Sequence, residues 1–397
     1  MKRLDRRKQD TMETQANLAE RDRRFKRIRE AMEQAGLNAL LVAGKGHWWT
    51  GRGYLRYLTD FHLWGHDGLL LLPFEDEPVL TLTSYAVAER IGNRGWVTDT
   101  RGDVYLVPNM VEAIKEKGLK QAKIGIAGLR WILPAGAYLQ LLEALPEATF
   151  VDSDELLNSV RMIRSPLEIQ QTRELWDLSK AAMERFVEVL EPGKSQRELA
   201  AEASRLVLAG GGRDILVFIG ERPGDSNPPR DIPVRCDDIL RSHMEICGTS
   251  GHWSEITVTC AFRQPTELEL KLMDSELRAY DRIREIAGPS VRLSDLASTF
   301  EQTLIEDGWE LGPATNHFDF HGQGMDTIEH PWFAAAPGWG ASQDMELEAG
   351  MVFSYHPRRI VRPQVAWGTG INEDILITEN GVDRLSGEWN LRWRVMA

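Results

Sequence analysis

Cysteine is scarce in this chain: three among 397 residues, at Cys236, Cys247 and Cys260. Their spacings of 11 and 13 match no zinc-knuckle or redox pattern, and so small and odd a number excludes a disulfide framework. No run of eighteen apolar residues occurs, which excludes a spanning helix and leaves no membrane role. An uninterrupted basic tract is missing too. Lys and Arg number 47 against 60 Asp and Glu, a net charge of -13, so no stripe exists to hold phosphates and nucleic acid is excluded as a partner. The most basic stretch, "MKRLDRRKQD" through "ERDRRFKRIRE", is broken by acids and reads as a solvated helix, a charged extension over residues 1–19. No segment has the apolar core of a signal peptide, so the expected location is cytoplasmic.

What is present suffices for two cores. Apolar residues make up 42% of a chain too long for one ordinary domain. Over residues 20–158, apolar strands such as "ALLVAG", "GLLLLP" and "KIGIAG" alternate with helical stretches, predicting an α/β domain. From 159 to 397 the pattern changes. Two long helices between Pro166 and Gly210 are separated by "EPGKSQRELA", where Ser195 and Glu198 have the spacing of a capping box. Strands then dominate, with a helical interlude from Glu267 to Gly308, predicting an α+β domain.

The stretch "HMEICGTSGHWSEITVT" reads as a hairpin turning at "TSG". Alternation sends His243, Glu245 and Cys247 to one face, and Trp253, Glu255, Thr257 and Thr259 to the matching face of the return strand. Glu245 then faces Glu255 at a Cβ separation of ~5 Å. Two ionised carboxylates so placed repel, so the pattern predicts a cation between them or a shared proton with one raised pKa. An open, solvated face is the plainer alternative. His317 and His321 in "HFDFHGQG", His356 in "VFSYHPRR", and Glu373 and Asp374 in "NEDILITENG" lie at the ends of further strands, and together they favour a site.

The order of "SPLEIQQTRELWDLSKAAMERF", "GHWSEITVT", "HGQGMDTIEHP", "LEAGMVFSYHP" and "INEDILITENG" resembles the creatinase / aminopeptidase P / prolidase family, and "GLNALLVAG" and "GYLRYLTDF" resemble its amino-terminal domain. The resemblance covers residues 20–390 and implies a pita-bread catalytic domain behind a smaller α/β domain, in a homodimer. Peptidases of that family hold two divalent metals with two aspartates on the hairpin, a histidine and two glutamates. Glu245 and Glu255 stand at the aspartates, His321 at the histidine, His356 at the glutamate before a proline, and Glu373 at the last glutamate. A further family histidine falls at Ile328, with His330 the candidate replacement; another, before the hairpin, is lost near Ser226.

Three carboxylates and two imidazoles suit one dication better than two, and the longer glutamates make the ~3.5–4 Å spacing of a two-metal site harder to keep. The resemblance therefore implies Glu245, Glu255, His321, His330, His356 and Glu373 as catalytic residues. All of these but His330 would hold one ion (Mn, Fe or Zn) if any is bound. The expected activity is hydrolysis or elimination at a C–N or C–X bond of a small carboxylate-bearing molecule. Creatinase, which works without metal, and a dimethylsulfoniopropionate lyase are family precedents. An Xaa-Pro peptidase and an inactive binding protein are the alternatives. Substrate contacts are expected from Arg52, Arg56, His62, Trp64, His66 and His243, with Trp48, Trp49, Arg222, Arg230, Arg358, Arg359 and Arg362 as further candidates.

Overall fold

Helix caps written in the sequence set the framework of the computed structural model, which describes residues 2–46, 51–93, 95–222, 225–310, 316–334, 343–359 and 367–396. The chain divides into two compact units, Met1–Arg161 and Met162–Ala397.

In the first unit the elements run α1 (Lys2–Ala35), β1 (Ala39–Lys45), α2 (Arg52–Thr59), β2 (Asp67–Pro73), β3 (Val79–Leu82), α3 (Tyr85–Gly92), β4 (Asp99–Gly102), α4 (Leu106–Glu116), β5 (Lys123–Ala127), α5 (Ala135–Ala144), β6 (Thr149–Asp152) and α6 (Asp154–Met162). One six-stranded sheet has the order β4-β3-β2-β1-β5-β6. The charged amino-terminal stretch and the first amphipathic helix are one continuous helix. Its buried Arg24 donates to Glu20 at 2.7 Å and to the Tyr57 carbonyl at 2.9 Å, with its guanidinium 4.3 Å from the Tyr57 ring centre. That cation–π and ion-pair contact locks α1 onto α2.

The second unit continues with α7 (Pro166–Glu188), α8 (Gln196–Ala209), β7 (Asp214–Gly220), β8 (Ile239–Cys247), β9 (Trp253–Ala261), α9 (Glu267–Ile286), α10 (Leu293–Glu306), β10 (Asn316–Gly322), β11 (Glu329–Ala334), β12 (Val352–Arg359), β13 (Glu373–Thr378), β14 (Gly381–Arg384) and β15 (Arg394–Val395). Ser165/Glu168, Ser195/Glu198 and Thr266/Glu269 close capping boxes that start α7, α8 and α9. Two sheets form, β11-β10-β12-β13-β14 and β15-β9-β8-β7. Phe320, Phe353, Tyr355, Ile375 and Ile377 pack against α9 and α10. Met244, Ile246, Ile256 and Val258 pack with Trp176 and Leu199 from α7 and α8, and with Val352 and Leu376. The polar faces of β8, β9 and β12 are what remains between these cores. No helix among the described residues is long and apolar enough to cross a membrane.

Candidate functional site

The hairpin register puts Glu245 directly opposite Glu255, and His243 opposite Thr257. The His243 imidazole lies across the pair, with Nε2 3.4 Å from Glu245 and 3.6 Å from Glu255. Its Nδ1 is 2.9 Å from the Thr257 hydroxyl, which fixes the ring's orientation. From the other sheet come His321 on β10 and His356 on β12. Glu255 Oε1 is 3.4 Å from His321 Nε2, Glu255 Oε2 is 2.9 Å from His356 Nε2, and the two Nε2 atoms are 3.2 Å apart. Among the described residues, Glu255–His321–His356 and His243–Glu245–Glu255 form close groups, joined at Glu255.

Glu255 is 2% exposed. Burial pushes its pKa up, but the imidazoles of His356, His321 and His243 outweigh burial and hold the carboxyl below its usual range. A raised pKa from a shared proton, one of the expectations for the facing glutamates, is therefore not what Glu255 has. The reason is the company of imidazoles, which the hairpin sequence does not carry.

His321 Nδ1 is 3.0 Å from the Gly322 carbonyl. A carbonyl only accepts, so Nδ1 donates to it and Nε2 is the nitrogen that faces Glu255 and His356. His356 is flanked by the Ser354 hydroxyl, 3.1 Å from Nε2, and by the Asn372 amide nitrogen, 3.1 and 3.3 Å from its two ring nitrogens. Near-equal distances to both nitrogens mean that the amide lies against the ring.

Glu373 lies outside both close groups. On β12 and β13, Tyr355 pairs with Glu373 and Ser354 with Asp374. Paired residues share a face, so Glu373 takes the face of Tyr355, away from His356, and Asp374 takes the face of Ser354 and His356. Arg384 Nε at 2.8 Å and the Ser386 hydroxyl at 2.6 Å donate to Glu373 Oε2. Burial raises the Glu373 pKa, against the pull of Arg384 and Ser386. Asp374 is fully buried. Its Oδ2 accepts from Trp176 Nε1 at 3.0 Å and from the Glu255 backbone at 3.3 Å. Burial first, and the Glu255 charge second, push its pKa well up, which favours the protonated acid.

His330 is half-buried at the start of β11 and is also in neither close group. Its neighbour Glu329 pairs instead with buried Arg164, whose Nη2 it accepts. The first-unit candidates are Arg52 and Arg56 on α2, and His62, Trp64 and His66 after it. Arg56 pairs with Asp60 at 3.0 Å, and Trp64 is 78% exposed. Trp48, Trp49 and Arg362, and the side chains of His317, Arg358 and Arg359, lie outside the described residues. Arg222 and Arg230 are exposed.

Besides Ser354 and Asn372, three more residues around the group escaped the sequence reading. Phe218 pairs with His243, ring centres 5.9 Å apart, and Leu216 pairs with Glu245, giving the site an apolar flank on β7. Trp332 pairs with His321 on β11. The period-two pattern that placed His243 and Glu245 together was the available signal, but it identifies a flank only once strand order is known.

Family models now match both units: residues 170–379 match metallopeptidase family M24, and residues 24–163 match the creatinase/prolidase amino-terminal domain. The chain belongs to the M24 metallopeptidase family. It has the pita-bread domain of that family behind a creatinase-type amino-terminal domain, as the motifs implied. YkvY of Bacillus subtilis (strain 168) is 26% identical over 372 residues, 91% of this chain and 97% of that protein. The ectoine hydrolase of Halomonas elongata is 27% identical over 295 residues, 69% of this chain and 70% of that enzyme. Among solved structures, the prolidase from Pyrococcus horikoshii OT3 superimposes with a TM-score of 0.74 at 23% identity, over 93% of this chain and 99% of that one. These relatives are hydrolases by name, so the family likeness is to enzymes that hydrolyse C–N bonds.

Family M24 implies divalent metal, and the donor set fits one ion. Ligand atoms about 2.0–2.1 Å from one ion at tetrahedral angles stand roughly 3.3 Å apart. The Nε2 atoms of His321 and His356 stand 3.2 Å apart, and each faces a different oxygen of Glu255, Oε1 at 3.4 Å and Oε2 at 2.9 Å, so one ligand atom of each residue lies close to the other two. Two carboxylates, Glu255 and Glu245, balance one dication. Asp374, pinned by Trp176 and the Glu255 amide, and Glu373, turned to Arg384, do not extend the set toward a second ion.

Proposed function

We propose that the chain is a hydrolase cleaving a C–N bond in a small polar molecule that carries a carboxylate, with one divalent cation held by Glu255, His321 and His356. The convergence of those three side chains on one point carries the reading. Bound there, the cation supplies Lewis acidity to the scissile group and to a water.

The chain's own residues do the rest. Glu255, held ionised by its surroundings, keeps the imidazoles of His321 and His356 in place. His243 is partly exposed, and its Nε2, 3.4 Å from Glu245, can exchange a proton with substrate at that one nitrogen while Glu245 holds the ring beside it. Thr257 holds the far side of that ring. Phe218 and Leu216 keep water off one flank.

A second reading, an Xaa-Pro dipeptidase, draws on the prolidase neighbours. It asks for a two-metal centre, which needs more ionised carboxylates than these side chains offer. Elimination at a C–X bond would use the same residues. The test is elemental mass spectrometry on protein purified without chelator, followed by a hydrolysis screen of amide and amidine compounds with and without a carboxylate. One metal per chain, with turnover of carboxylate-bearing compounds and none of Xaa-Pro dipeptides, is the expected result. Two metals per chain with Xaa-Pro cleavage would replace this reading by the dipeptidase. No metal even after soaking would remove the ion from it.

A further inference from the structure

The face of β8 that carries Glu245 and His243 has a third member. Alternation puts Arg241 on that face, two residues before His243, so its Cα is about 7 Å from that of His243 along the strand. The register sets it across from Thr259 on β9 and from Gly220 on β7. On one side, then, the neighbour has no side chain, and on the other it has a short hydroxyl.

The stem of Arg241 is held. Gly370 has φ +71, and a Cβ built there would lie 2.8 Å from Arg241 Cδ and 2.9 Å from Thr259 Oγ1. A side chain at position 370 would thus be strained by its own backbone and would push the arginine aside. The Thr259 hydroxyl also reaches the Thr369 carbonyl at 3.5 Å, tying this segment to β9. Arg241 is half-buried, so part of it remains reachable from solvent. Along the face the order is cation (Arg241), imidazole (His243), carboxylate (Glu245), with Phe218 beside the middle position.

The geometry points to Arg241 as the group that anchors the substrate's carboxylate. A guanidinium grips a carboxylate through two parallel N–H···O bonds, a geometry that an ammonium cannot reproduce. Its place along the strand makes Arg241 a ruler. A molecule anchored there reaches the Glu/His group only if a short spacer separates its carboxylate from the bond to be cut. The inference rests on the carboxylate-bearing substrate proposed above and adds the residue that selects it.

Calorimetric titration of purified protein with propionate, N-acetylglycine and N-acetyl-β-alanine, each against its primary amide, tests the anchor. Wild type, Arg241→Met, Arg241→Lys and, as a control from the first unit, Arg130→Met, an exposed arginine paired with Asp152, would be compared after circular dichroism shows each folded. Expected is binding of a carboxylate to wild type and to Arg130→Met, weakened about tenfold or more in Arg241→Met and partly restored in Arg241→Lys. Equal carboxylate affinity in wild type and Arg241→Met overturns the anchor and leaves the carboxylate reading standing. Amides bound by wild type as tightly as carboxylates, or binding of neither class, overturns the anchor. In the first of those cases a hydrolysis screen that favours amides withdraws the carboxylate from the proposed function as well.

Discussion

Glu255 and Glu373 are two glutamates of the same unit, both nearly sealed from solvent, yet their ionisation is pushed in opposite directions. Burial raises both. Around Glu255 three imidazoles converge and reverse the effect; around Glu373 one arginine and one serine do not. The difference shows that burial does not assign a carboxylate to chemistry or to structure. What decides is whether movable, titratable groups or a fixed cation surround it. Glu255 shares its oxygens with rings that can also bind an ion or pass a proton. Glu373 is committed to Arg384 and Ser386, a pair that joins β13 to β14 and the segment beyond.

The sharpest way to break this contrast is to remove each charge in turn. Glu255→Gln is expected to abolish metal retention, read by elemental analysis, and to lower turnover of any identified substrate by at least about a hundredfold. Metal held as before would return Glu255 to a structural role. His321→Ala and His356→Ala should each lose metal with less effect, because one ligand of three is removed and the carboxylate stays. If one of them retains a full complement, that histidine is not a ligand.

A finer test uses pH on the metal-free protein. A folded pKa below the unfolded value stabilises above that value and is lost as pH falls, so the contribution of Glu255 should disappear on acidification below about 4.3. Glu373 has the opposite sign. Its raised folded pKa makes its contribution fullest below about 4.3, and that contribution declines as pH rises toward the folded value. Denaturant titrations of Glu255→Gln and Glu373→Gln against wild type, from pH 3 to 6, should therefore give difference curves of opposite slope. Curves of the same slope would erase the distinction.

The smallest effect on metal is expected in Glu373→Gln. Glutamine keeps an oxygen for Arg384 and Ser386 but leaves the Arg384 charge without its partner, so metal content should be unchanged while stability falls by about 1–3 kcal/mol. A large loss of metal would put Glu373 back at the ion.

Much of this architecture could be read in the chain. The capping boxes at Ser165, Ser195 and Thr266 are local patterns satisfied by a few consecutive residues, so the helices they start are legible from spacing. The pairing of Glu245 with Glu255 was legible for the same reason: a short turn fixes the register of its two strands. Glu373 and Asp374 are the counterexample. Adjacent residues on a strand face opposite ways, and which one faces the site depends on how β13 registers against β12, a pairing across a long connection.

The sequence alone therefore determined the two-unit plan, the helix starts, the hairpin with its facing glutamates, and the family, because each depends on local pattern or on the order of motifs. Tertiary structure decided that His243 lies across those glutamates, that His321 and His356 converge on Glu255, and that Glu373 turns to Arg384 while Asp374 turns the other way. Those facts depend on strand parity and on residues of two sheets converging at Glu255, where a shift of one residue exchanges every side chain between the core and the site.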